Sequence, residues 1–148
     1  MALKGVNRIV VAVNNLENSK RFYREALGAT FHEANWTGKS YGIEVAISWD
    51  AGIELCAPMP GREHDSAVSS FLAENGEGVV NVIFAVSDAG LAKERAATAG
   101  VTPFNSLDYS QQEIDEHLDG LFCKYEEHFM NSSEQCGYGF TVAQIDPK

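Results

Sequence analysis

The stretch GVVNVIFAVSD, residues 78–88, reads almost as a second copy of VNRIVVAVNN, residues 6–15. In each, a polar side chain, Asn81 or Arg8, directly precedes five apolar residues ending in Ala-Val, then a turn-prone pair. Short apolar runs bounded by turn residues are strand signals, and the likeness continues beyond them. After the first comes NNLENSKRFYREALGATF, where Leu16, Phe22, Tyr23, Ala26 and Leu27 fall at helical spacing. Asn14 or Asn15 can cap its start and Gly28 its end. After the second comes SDAGLAKERAATAGVTPF, with Ser87 to cap the start, a small-residue stripe at Ala92, Ala96 and Ala99, and Gly100 to close. The chain is a duplicated strand–helix unit.

The remainder of each half reads as strands. GATFHEAN (28–35), YGIEVAISWD (41–50) and AGIELCAP (51–58) in the first half are short, β-rich and bounded by turn residues. VTPFN (101–105), CKYEEHFMN (123–131) and GYGFTVAQID (137–146) play those parts in the second. The expected fold class is therefore α+β: one domain, residues 1–148, made of two βαβββ modules at about 5–57 and 79–146. Between them DSAVSSFLAENGEG predicts a short helical linker ended by Gly76. One element has no counterpart. SQQEIDEHLDGLF (110–122) opens with Ser110 and Glu113 at capping-box spacing and continues with Ile114, Leu118, Leu121 and Phe122 on one face, which predicts an inserted amphipathic helix.

Composition narrows the function. With 148 residues, 45% hydrophobic and 22% charged, the chain is long enough for a proper core. A formal charge of −10 argues against nucleic acid as a partner, because phosphates call for a basic patch. No apolar run approaches membrane-spanning length, and MALKGVNR carries no leader pattern, so the expectation is a cytoplasmic protein away from membranes. Cys56, Cys123 and Cys136 are odd in number and form no C-x-x-C pair, which reads as free thiols.

Strand alternation assigns the polar residues a face. Ile9, Val11 and Val13 share one side of the first strand, with Arg8, Val10 and Ala12 on the other. Val82, Phe84 and Val86 are likewise opposed to Asn81, Ile83 and Ala85. The bulkier faces suit packing under the helices, so Arg8 and Asn81 face the other, concave side. Glu54 in GIELCAP and Thr141 in GFTVAQI interrupt apolar strands late in each half. The duplication makes Arg8 equivalent to Asn81 and Glu54 roughly equivalent to Thr141, the second spacing exceeding the first by about the length of the inserted helix.

The phrase V-x-x-L-x-x-S-x-x-F-Y-x-x-x-L-G (13–28), the IEL of residues 53–55 and the paired βαβββ modules resemble the vicinal-oxygen-chelate superfamily. Its members include glyoxalase I, methylmalonyl-CoA epimerase, extradiol dioxygenases and bleomycin-resistance proteins. S-x-V-x-x-F-L-x-x-N-G-x-G (66–78) is most similar to the methylmalonyl-CoA epimerase branch. The resemblance implies a sheet with a concave cleft for a small molecule and a homodimer. It also implies that Arg8, Glu54, Asn81 and Thr141 stand where metal-using members carry two histidines and two acidic or amide ligands. Only Glu54 is a good ligand there, since arginine cannot be deprotonated to bind an ion. No metal and no cofactor are expected. His32, His64, His117 and His128 all lie outside the matched positions, His128 beside Glu126 and Glu127 being the least remote from ligand chemistry.

Three readings remain open. In the first, Arg8 supplies the cation that a metal supplies elsewhere and Glu54 is the catalytic base of a lyase or isomerase acting next to a carbonyl or enolate. In the second, the pocket only sequesters a ligand, with Arg8, Glu54, Asn81 and Thr141 as binding residues and Trp36, Tyr41, Trp49, Phe122 and Tyr125 as aromatic walls. In the third, the chain is a metal-dependent glyoxalase or epimerase with displaced ligands.

Overall fold

Residues 1–148 are all described by the computed structural model. The elements in order are β1 (Leu3–Ala12), α1 (Leu16–Leu27), β2 (His32–Glu33), α2 (Asn35–Gly38), β3 (Ile43–Ser48), β4 (Ile53–Pro58), α3 (Ser69–Asn75), β5 (Gly78–Val86), α4 (Ala89–Thr98), β6 (Pro103–Asp108), α5 (Gln111–His117), β7 (Phe122–Met130), α6 (Ser133–Cys136) and β8 (Gly139–Pro147). They form two units, residues 8–80 and residues 1–7 with 81–148.

In the unit of residues 8–80, β1 runs parallel to β4 with Val10 opposite Glu54, and β3 then β2 follow antiparallel. In the other unit β5 runs parallel to β8 with Ile83 opposite Thr141, and β7 then β6 follow antiparallel. Both are βαβββ, and the fold is α+β.

Each sheet buries one face under its helix. Val11, Val13, Leu16, Ala46, Ile53, Leu55 and Ala57 form the first core, with Tyr23 packed against it. Asn15 caps α1 by accepting the Asn18 N–H at 2.9 Å, and Gly28 ends it in the left-handed conformation at φ 72°. Phe22 and Leu27 share the helical spacing yet stay 62% and 65% exposed. Neighbouring residues are about 100° apart around a helix, so Tyr23 rather than Phe22 meets the sheet. In the second unit Val86, Ala89, Ala92, Val101, Met130 and Val142 form the core, and alanines let α4 lie close.

Three local readings are corrected. The cap of α4 is Asp88, which accepts the Leu91 N–H at 3.0 Å, while the Ser87 hydroxyl accepts the Ala2 N–H at 2.6 Å. Residues 28–35 contribute only a two-residue strand, because Asn35 turns inward to accept the Val45 N–H at 2.8 Å and starts α2. That tight turn needs Gly38, where a Cβ would lie 2.6 Å from the Ile43 and Val45 side chains. The inserted helix keeps its capping box and buries Ile114 and Leu118, but it stops at His117. Asp119 at φ 56° and Gly120 at φ 62° reverse the chain, leaving Leu121 exposed and Phe122 at the start of β7. No helix is long and apolar enough to cross a membrane.

Candidate functional site

β1 and β4 place Arg8 and Glu54 on the sheet face opposite α1, one diagonal step apart. The Arg8 Nε and Nη2 both donate to Glu54 Oε1 at 3.0 Å. Glu54 Oε2 faces the Cys56 thiol, with 3.7 Å between sulfur and oxygen. Above the pair lies Trp49, its ring centroid 5.3 Å from the guanidinium carbon. The turn carrying Trp49 is fixed by the Ser48 hydroxyl donating to Asp50, which also accepts the Thr30 N–H. The Ser48 bond first, and then the Thr30 one, hold the Asp50 carboxyl below its usual range. Arg8 is only 2% exposed, and its neighbours on this face, Val10, Ala12, Val45 and Ile47, are buried and apolar. Charges so placed interact far more strongly than in water.

The second unit repeats the geometry with neutral groups. The Thr141 hydroxyl donates to the Asn81 side-chain oxygen at 2.8 Å, again a diagonal across parallel strands. Thr141 and Ile83 are fully buried here. Glu127 shares this face, since it lies opposite Ala143, two residues beyond Thr141 in β8, and it is 3% exposed. Sequence reading did not single it out as a site residue. The signal was the phase of Tyr125, Glu127 and Phe129, which sets an acid among aromatics on one side of a strand.

Neither pair suits a divalent ion. Arg8 offers only donors, Thr141 is a neutral hydroxyl, and the Asn81 oxygen already accepts a hydrogen bond. No group of three or more His, Cys, Asp and Glu side chains is arranged to hold a metal. His32 and His64 are exposed, and His117 lies 3.6 Å from Glu116 on its own helix. His128 is buried, with Ser106 on one ring nitrogen and Glu126 on the other. Cys56, Cys123 and Cys136 are free thiols. A hollow of about 720 Å³ opens at the start of α1, lined among others by Glu17, Glu44, Ala57 and His64; it does not include Arg8 or Glu54. Of the expected aromatic walls, Trp49 covers the Arg8 pair, while Tyr125 stacks on Tyr109 at 5.3 Å and meets Phe122 at 5.7 Å.

The family model described as Glyoxalase/Bleomycin resistance protein/Dioxygenase superfamily matches residues 5–108. The chain belongs to that superfamily. No curated protein sequence matches it. Among solved structures, methylmalonyl-CoA epimerase from Mycobacterium tuberculosis is 20% identical, with a TM-score of 0.73 over 99% of this chain and 89% of that one. A Streptomyces coelicolor methylmalonyl-CoA epimerase variant in complex with 2-nitronate-propionyl-CoA is 21% identical, with a TM-score of 0.74 over 97% and 98%. A hypothetical protein from Bacillus halodurans C-125 is 16% identical, with a TM-score of 0.76 over 100% and 98%. At these identities the likeness is one of fold, and it extends over the whole glyoxalase-type chain.

Proposed function

We propose that this glyoxalase-superfamily chain is a metal-independent isomerase or lyase that removes a proton next to a carbonyl. Glu54 is the proton acceptor and Arg8 the cation that holds the developing oxyanion. The reading rests on one observation: two Arg8 nitrogens reach Glu54 Oε1, and Glu54 Oε2 faces the Cys56 thiol. A substrate carbonyl oxygen that takes over the Arg8 donors releases Glu54, whose carboxylate then accepts the α-proton. Positive charge fixed in an apolar setting stabilises an enolate more than its neutral parent, which is the condition for lowering a barrier. Asn81 and Thr141 serve as ligand-binding groups. The relatives that act on CoA esters make acyl-CoA thioesters the first substrates to try, with a homodimer as the expected assembly.

Sequestration without turnover is the second reading, and the 2% exposure of Arg8 favours it, because a satisfied, buried pair is a rigid wall. Glu54→Gln separates the two. Exchange of the α-hydrogen of methylmalonyl-CoA into deuterium oxide should fall by about a hundredfold or more, while calorimetric affinity stays within a few fold. Tight binding by the wild type with no exchange would leave sequestration as the function.

A further inference from the structure

β6 is the outer strand of its unit and pairs with β7 alone. Ser106 lies opposite His128, and His128 lies opposite Val142 on the face that packs under α4, the reverse side from Thr141. The Tyr109 N–H donates to the Tyr125 carbonyl at 3.0 Å. Alternation then makes 107 with 127 and 105 with 129 the other hydrogen-bonded pairs, and 106 with 128 a non-hydrogen-bonded pair. Two consequences follow. Side chains of such a pair approach most closely, and the Ser106 N–H points outward at the free edge, where the sheet does not use it.

Ser106 Oγ lies 2.7 Å from His128 Nδ1, and His128 Nε2 lies 2.9 Å from Glu126 Oε1. A carboxylate only accepts, so Nε2 carries the imidazole proton and Nδ1 accepts the Ser106 O–H. Glu126 Oε2 is held in turn by Lys124 Nζ at 2.8 Å, and Lys124 is shared with Asp108 at 2.8 Å. Burial alone would raise the Glu126 carboxyl, but the hydrogen bonds from Lys124 and His128 outweigh it and keep it below the usual range. The ring is 5% exposed and cannot swing freely, whereas Ser106 is exposed. A hydroxyl on a base, and the base on an orienting acid, is the arrangement nucleophilic acyl transfer requires.

We propose that Ser106, His128 and Glu126 form a nucleophilic relay in which Ser106 accepts an acyl group from an activated ester or thioester. Ser106 Oγ bonds to the acyl carbon as its proton passes to His128 Nδ1, and the Glu126 carboxylate stabilises the imidazolium. The bond from the acyl carbon to the leaving oxygen or sulfur then breaks, and the leaving group takes that proton from His128. The products are acyl-Ser106 and a free alcohol or thiol. The site lies on the other sheet face from Thr141 and is independent of the Arg8 chemistry.

The test uses the whole chain with p-nitrophenyl acetate, following nitrophenolate release and locating acetyl groups by peptide mass spectrometry. One acetyl on Ser106 is expected in the wild type and none at that peptide in Ser106→Ala. His128→Gln should slow Ser106 acetylation by about a hundredfold. Should that buried substitution impair folding, Glu126→Gln decides: loss of the orienting carboxylate should slow Ser106 acetylation while the fold is kept. No acetyl on Ser106, or an undiminished rate in folded His128→Gln or Glu126→Gln, would overturn the relay.

Discussion

The Thr141 hydroxyl donates to Asn81 along the same diagonal that Arg8 takes to Glu54, so each half of the duplication closes its own polar pair across parallel strands. One pair is ionic and the other neutral, and they should respond differently to truncation.

Arg8→Met leaves the Glu54 carboxylate in a largely apolar setting without its cation, and should cost about 3 kcal/mol, the lower end for a broken buried pair because the Glu54 side chain keeps 15% exposure. The double variant Arg8→Met, Glu54→Met should recover most of that loss. Urea unfolding of the three proteins checks both statements. Indifference of the single variant would show that the pair is not coupled.

Thr141→Val preserves shape but removes the donor to the fully buried end of the Asn81 pair, at a cost of about 1–3 kcal/mol. Thr141→Ser should restore the bond while losing only a methyl group. Equal midpoints for the valine and serine variants would mean that packing, not the hydroxyl, sets the loss.

The acid and base limits of stability should trace to Glu126 and Lys124. The folded Glu126 carboxyl sits below its ordinary value, so its contribution is complete above about pH 4.3 and fades as pH falls through the folded value. Bonds from Asp108 and then Glu126 raise Lys124, whose contribution is present below about pH 10.4 and lost as pH rises further. Glu126→Gln should flatten the acid limb of a plot of Tm against pH. An unchanged limb would assign acid unfolding to other carboxylates.

Dialysis against nickel, zinc, cobalt or manganese should leave less than one metal per chain by elemental analysis. The donor chemistry at Arg8, Asn81 and Thr141 is the reason. A stoichiometric ion would restore a metal-dependent glyoxalase or epimerase mechanism.

What was legible in the sequence was whatever local chemistry fixes. Asn15 and Gly28 bracket α1, Gly76 ends α3, and Ser110 with Glu113 start α5, all through contacts a few residues long. The side of the strand taken by Arg8 and Asn81 followed from alternation alone, since one register step would have exposed the apolar set. Misreadings occurred where distant contacts decide. Asn35 bonds to Val45 and so cuts β2 short, and Ser87 is claimed by Ala2, which leaves the helix cap to Asp88. Ser106 and His128 were invisible as a pair because only the register of β6 on β7 brings them together.

Strand β1 changes allegiance part-way: residues 1–7 belong with 81–148, and Arg8 onward with the segment up to Val80. Ala2 waits for Ser87 and Lys4 for Asp146, 3.3 Å away, so both contacts close over long stretches of chain. Loops of that length close slowly. Folding during synthesis should therefore begin within residues 8–80, with Ala2 locking after Ser87 and Lys4 only once β8 has been made.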